Sequence, residues 1–173
     1  MTKLRVFADT CVIIEAFRTG CWKALCSKFA IETVEKCIEE ALTGDPFDKN
    51  RTKITLSQLT DGLAARHTVT REQIANLVLA HPDNPAIDDG ELHLLAWIFA
   101  NETASEKVVL LTTADKAALV ASSKIGWIDA LVSLEQLATE SGVGNKNLSS
   151  LSNQYRKKWL NEIRMKITMG VIP

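Results

Sequence analysis

Along this chain the spacing of apolar residues alternates between short uninterrupted runs and longer helical stripes. Residues 3–8 carry Leu4, Val6 and Phe7 and stop at Asp9, a length and boundary that fit a buried strand. Cys11, Ile14, Phe17, Cys21, Leu25 and Phe29 then recur at helical spacing over 10–29, with a break at Gly20. A second short run around Ala30-Ile31 precedes a helical stripe over 33–42, built on Val34, Cys37, Ile38 and Ala41 and stopped at Gly44. Residues 45–53 read as a loop, and 52–56 as a further short strand. Thr70, with Glu72 and Gln73 in the following turn, caps a helix over 70–80. His81-Pro82-Asp83-Asn84-Pro85 is loop, and 90–101 is a helix with Leu94, Leu95, Trp97 and Ile98 towards the core. The strongest strand signal is KVVLLTT at 107–113, β-branched and uncharged after its first residue. A helix over 115–124 ends at Gly126. A strand-like piece follows over 127–133, then a helix over 134–140, a hinge at 142–145 and a last amphipathic helix over 152–169. Strands alternating with helices predict an α/β fold around a mostly parallel sheet.

With 173 residues, 46% hydrophobic and 24% charged, the chain has the size and make-up of one folded domain. No apolar run is long enough for a membrane span. The N-terminus MTKLRVFADT lacks a cleavable signal pattern, from which a cytoplasmic protein is expected. Cys11, Cys21, Cys26 and Cys37 have no paired spacing, and His67, His81 and His93 lie far downstream, so a zinc site is not expected. Charge is unevenly spread. From Asn145 onward six Lys and Arg face one acid, Glu162, a local net of +5 in a chain whose total is −1.

Acidic residues fall at telling places. Asp9 follows the first strand directly, and Asp115 follows the strongest strand within two residues. In an open parallel sheet, ligands sit outside the carboxyl ends of the strands, where these two side chains would converge. Glu91 lies at a helix start in Asp88-Asp89-Gly90-Glu91, and Glu39 and Glu40 lie in the helix after the second strand. Singly, each has a plainer role as helix cap, dipole partner or solvated surface. Together they would repel unless a hard divalent cation with oxygen ligands sat among them. Such a cluster suits phosphodiester chemistry. Other templates are missing: Cys11 breaks a D-x-D pair, and neither a P-loop nor a G-x-S-x-G elbow occurs.

Four pieces in order, VFADTCVIIEAF, ETVEKCIEEALTG, DDGELHLLAW and LLTTADKAAL, resemble the PIN domain family of metal-dependent nucleases, which includes bacterial toxin ribonucleases. They cover roughly residues 6–119, with the family fold extending to about 137. The resemblance implies a three-layer α/β/α fold with a central parallel sheet of four or five strands, a PIN-like domain over 1–144 and an added basic helix over 145–173. It places Asp9, Glu40, Glu91 and Asp115 on the family's acidic positions as metal ligands and catalytic residues. Glu39 is nearly as good a match as Glu40, and Asp89 as Glu91. A further family acid has only Asp129 as a candidate, and Thr10 and Thr113 would supply nearby hydroxyls. The implied activity is an endoribonuclease using Mg²⁺ or Mn²⁺, leaving a 5′-phosphate and a 3′-hydroxyl. RNA would be the substrate, with an antitoxin protein and a homodimer as implied partners. The stretch 45–81 is longer than in compact toxins, which separates nuclease from toxin. A catalytically silent module and a small-molecule phosphohydrolase are the alternatives. In the tail, Tyr155, Trp159, Ile163 and Ile167 form an apolar stripe expected to pack on the body or on a second subunit, while Lys157, Lys158 and Arg164 are expected to offer phosphates a basic surface.

Overall fold

The computed structural model describes residues 2–43, 50–102 and 108–172. Strand β1 (Arg5–Ala8) leads into α1 (Thr10–Arg18) and α2 (Trp22–Lys28), then β2 (Ala30–Val34) and α3 (Glu35–Leu42). After α4 (Leu56–Thr60) come β3 (Ala65–His67), α5 (Arg71–Ala80), α6 (Asp89–Asn101), β4 (Val109–Thr112) and α7 (Lys116–Lys124). Helices α8 (Leu134–Glu140), α9 (Asn145–Ser149) and α10 (Lys157–Thr168) complete the chain.

The strands form one parallel sheet in the order β3-β2-β1-β4, with Arg5 opposite both Ala30 and Val109, and Glu32 opposite Ala65. Side chains alternate across β1, and each face is covered by helices, as parallel sheets require. Val6, Ala8 and Ile31 join the core built with α1, α2 and α8. Phe7, Val109 and Leu111 join the core built with α5, α6, α7 and α10. The chain is thus a three-layer α/β/α fold. No helix of the described residues is long and apolar enough to cross a membrane.

Several predicted elements shift. Residues 52–56 are not a strand: Thr55 and Gln58 form a reciprocal capping box that starts α4 instead. The third strand is Ala65–His67, which carries no apolar alternation. Thr33 and Val34 belong to β2, so α3 begins at Glu35. The 127–133 piece is a short 3-10 turn over Ile128–Ala130, followed by a single parallel bridge between Leu131 and Leu111. The last helix starts at Lys157, after a turn at Asn153–Tyr155. Gly44, most of the 45–53 loop and Lys107 lie outside the described residues. Gly20 takes φ +72°, open to glycine at little cost, and lets Cys21 N–H reach Ala16 O at 2.8 Å to close α1.

Two polar assemblies tie distant segments together. Arg5 donates to both oxygens of Glu32 (2.6 and 3.0 Å) and of Glu102 (3.1 and 2.7 Å), and His67 Nε2 lies 2.8 Å from Glu32. The His67 ring stacks on Trp97 with centroids 4.2 Å apart. The tail is fastened across α1: Asn147 donates to Thr19 O at 2.8 Å, Arg18 to Ser150 O at 2.7 Å, and Ser152 N–H to Glu15 at 2.8 Å.

The tail packs on the body. Tyr155 and Ile163 of the predicted stripe are buried, although Tyr155 precedes the helix, and Leu160 is the deepest residue of α10 at 2% exposed. Arg164 is not part of a free basic face: it reaches Leu131 O at 3.5 Å and Asp129 at 3.8 Å. Lys157 and Lys158 remain exposed. Because Leu160 joins the core beneath α7, Leu160→Ala should cost about 2–5 kcal/mol, read as a lowered urea midpoint. A loss under about 0.5 kcal/mol, the range of an ordinary surface change, would show that the tail does not pack there.

Candidate functional site

Parallel pairing brings the ends of β1, β2 and β4 to one edge, and three acidic residues reach that edge from different segments. Asp9 leaves β1 as the N-cap of α1, where Oδ1 accepts from Val12 N–H at 3.0 Å and from the Cys11 thiol at 3.0 Å. Its backbone N–H bonds Thr112 O at 3.3 Å, which fixes Asp9 beside the end of β4. Asp115 caps α7 in the same manner, accepting from Ala118 N–H at 2.8 Å, and its own N–H donates to Thr113 Oγ1 at 3.2 Å. Glu91 lies in the first turn of α6, where it also accepts from Asp88 N–H at 3.4 Å in a capping box. Asp9, Glu91 and Thr113 line one small cavity of about 10 Å³, room for at most a single water.

The charges of Asp9 and Asp115 bear on Glu91, and that of Asp115 bears on Asp9. Burial, then the charges of Asp9 and Asp115, pushes the Glu91 pKa from its ordinary 4.5 up to about 8. Burial also raises Asp9, with the charge of Asp115 adding to it and the Cys11 thiol opposing. Asp9 is 1% exposed, and its Oδ2 is buried without a hydrogen-bond partner. A buried carboxylate oxygen left unpaired is costly, so the position calls for a proton or a cation.

Glu40 reaches the same edge from α3 but stands in a different bonding state. Oε1 accepts from Gly90 N–H at 2.9 Å and Oε2 from the Thr10 hydroxyl at 2.8 Å. The carboxylate lies so close over Gly90 that a Cβ there would collide with Oε2, and would stand 2.8 Å from Thr10 Oγ1. A side chain at 90 would displace the Glu40 carboxylate from this position, so glycine is what leaves room for the clasp. Glu39 instead faces solvent and pairs with Lys36 at 3.1 Å. Asp89 is exposed at the start of α6, and Asp129 is fully exposed near Arg164, so neither joins the cluster.

Neither models of known protein families nor curated proteins match this sequence. The chemistry therefore rests on the residues themselves. Two features were not visible in the spacing: the Cys11 thiol on Asp9, and the Thr10–Glu40–Gly90 clasp. Their only signals were adjacency to Asp9 and Glu91 in D-T-C and D-G-E.

Three carboxylates in mutual repulsion, one with an orphaned oxygen, fit a divalent cation in charge and in donor type. Asp9 and Asp115 each spend one oxygen on a helix cap and keep the other. Among the described residues, however, no three His, Cys, Asp or Glu side chains stand close enough together to hold a metal ion as they are placed.

The raised Glu91 pKa has a thermodynamic consequence. The folded chain holds this proton up to about pH 8, whereas the unfolded chain releases it near its ordinary 4.5. The contribution to stability is complete below the lower value and is lost as pH rises through the upper one. Glu91→Gln should therefore flatten the fall in urea midpoint between about pH 5 and about pH 9. An unchanged slope would show that Glu91 ionises normally.

Proposed function

We propose that the chain is a PIN-type endoribonuclease that hydrolyses RNA phosphodiester bonds at the Asp9–Glu91–Asp115 edge with Mg²⁺ or Mn²⁺. The observation that carries this reading is the coupled trio itself. Burial, and then the charges of Asp9 and Asp115, raise the proton affinity of Glu91, an arrangement that a cation would relieve. The order of the four acidic segments in the sequence supports the same family, and the parallel sheet supplies the edge on which such a site is built.

In this reading Asp9, Asp115 and Glu91, ionised, would hold the cation. Glu40 has a positioning role, since its two oxygens clamp Thr10 and the N-terminus of α6 and so fix where Glu91 begins. The chemistry supplied by the bound cation is a lowered proton affinity of water and an offset to charge developing on the phosphoryl oxygens. The exposed Lys157 and Lys158 give the tail a modest attraction for the RNA backbone. A toxin role, with an antitoxin partner and a homodimer, extends this reading.

Single-stranded RNA should be cut in Mg²⁺ or Mn²⁺, and EDTA should abolish the cleavage. Asp115→Asn keeps the shape and the helix cap but removes the charge. It should lower the rate by at least about 100-fold, since even residues behind metal ligands are worth 10–100-fold. Cleavage that persists unchanged in EDTA would refute a metal-dependent site. Absence of cleavage, with calorimetry showing no cation bound by the parent chain, would point to the silent module instead.

Glu39 and Glu40 give an internal control on one helix. Glu40→Gln loses the charge that draws on Thr10 and Gly90 and should cut activity by about 10-fold or more. Glu39→Gln should leave the rate unchanged, because that side chain is exposed and pairs with Lys36. The reverse outcome would move the site to the other side of α3.

A further inference from the structure

A sizeable cavity lies at the amino edge of the sheet, opposite the carboxylates. Its volume is about 880 Å³, within the ordinary range of small-molecule sites. The four residues of β1, roughly 13 Å of strand, separate the two edges. Walls come from the run-in to β1, the far end of α1, helix α2, the start of β2 and the segment after α4.

The floor is aromatic. Phe17 and Trp22 stack with centroids 5.0 Å apart and planes 23° from parallel, and Phe29 lies buried beside them. Gly62 brings bare backbone against this pair: a Cβ there would stand 2.7 Å from Trp22 Nε1 and 2.8 Å from Cys26 Sγ. The indole N–H is already used on Gln58 O at 3.3 Å, and Trp22, only 5% exposed, backs Phe17 from within, so the half-buried Phe17 ring is the aromatic surface the cavity shows.

Charge gives the cavity a sign. Lys3 and Lys23 bring two ammonium groups to the lining, against the single carboxylate of Asp61. Lys3 places one donor on Cys26 O at 2.8 Å, and an ammonium has three. Lys23 is exposed and forms no ion pair with any described residue. An apolar floor with unspent ammonium donors suits a molecule that is flat and apolar at one end and anionic at the other.

We propose that this cavity binds an amphipathic small-molecule anion, its ring system against Phe17, which Trp22 backs from within, and its carboxylate or phosphate at Lys3 and Lys23. The proposal stands apart from the nuclease reading, because the site shares no residue with the acidic edge. Binding would add a ligand-responsive surface to the opposite end of the same sheet.

A charge series of one ring system tests it on the full chain. 2-Naphthoate, 2-naphthyl phosphate, neutral 2-naphthamide and 2-naphthylmethylammonium would each be titrated by calorimetry. One of the two anions should bind saturably at one site, about 10-fold or more tighter than the amide, and the tighter anion assigns the head group. Lys3→Gln combined with Lys23→Gln, both surface changes, should erase that preference while leaving amide affinity within about twofold, since the apolar contacts stay. Three results would each overturn the proposal: no saturable binding of either anion, the ammonium compound binding as tightly as the anions, or an anion preference that survives the double substitution.

Discussion

Repulsion among carboxylates at the carboxyl edge of the sheet is the constraint around which this fold is arranged. Asp9, Glu91 and Asp115 would separate in a loose chain. Here each is pinned through a backbone interaction that a side-chain rotation cannot easily undo. Two are helix caps, which spend one oxygen on an orphan N–H and leave the other out of the cap. The third sits in the first turn of α6, whose start is clamped by Glu40 through Gly90. The positive ends of α1, α6 and α7 partly offset the negative charge, and the remainder appears as the raised affinity of Glu91 for a proton.

A second arrangement of charge, on the sheet face that α6 covers, works by pairing. One guanidinium, Arg5, faces two carboxylates that are nearly buried, Glu32 and Glu102, with His67 closing the set. Removing a partner from such a set leaves uncompensated buried charge, a loss of about 3–5 kcal/mol. This assembly joins β1, β2, β3 and the end of α6, and so holds the short edge strand β3 in place. Across the other face, the segment 147–155 crosses α1 and bonds to it at both ends. The helix that Asp9 caps is therefore braced by residues more than a hundred positions later in the chain.

The legible parts of the sequence are those with local causes. β1 and β4 are apolar runs ended by an acid, so both the strands and the cap positions of Asp9 and Asp115 follow from neighbouring residues. The Thr70 cap is similarly local. Strand β3 was not legible, because Ala65-Arg66-His67 has no apolar alternation and is held by backbone pairing to β2 and by the His67 contacts. Residues 52–56 mislead through β-branched Thr52, Ile54 and Thr55, while the T-x-x-Q signal for a helix start was present in the same stretch. Helix geometry alone did not choose between Glu39 and Glu40. The choice depends on Thr10 and Gly90, which lie 30 and 50 positions away.

Gly90 also makes the site readable from a single letter. The Glu40 carboxylate fills the volume where a methyl group would sit, so the presence of glycine there reports that α3 and α6 meet through this acid. Any chain of the same fold with alanine at this place must have let the two helices part or turned the glutamate outward. In either case the opening of α6 would lose its anchor, and the acid one residue later would no longer be held in register. A comparison of such chains could therefore sort those that keep the assembled edge from those that keep only the scaffold, before any acid itself is inspected.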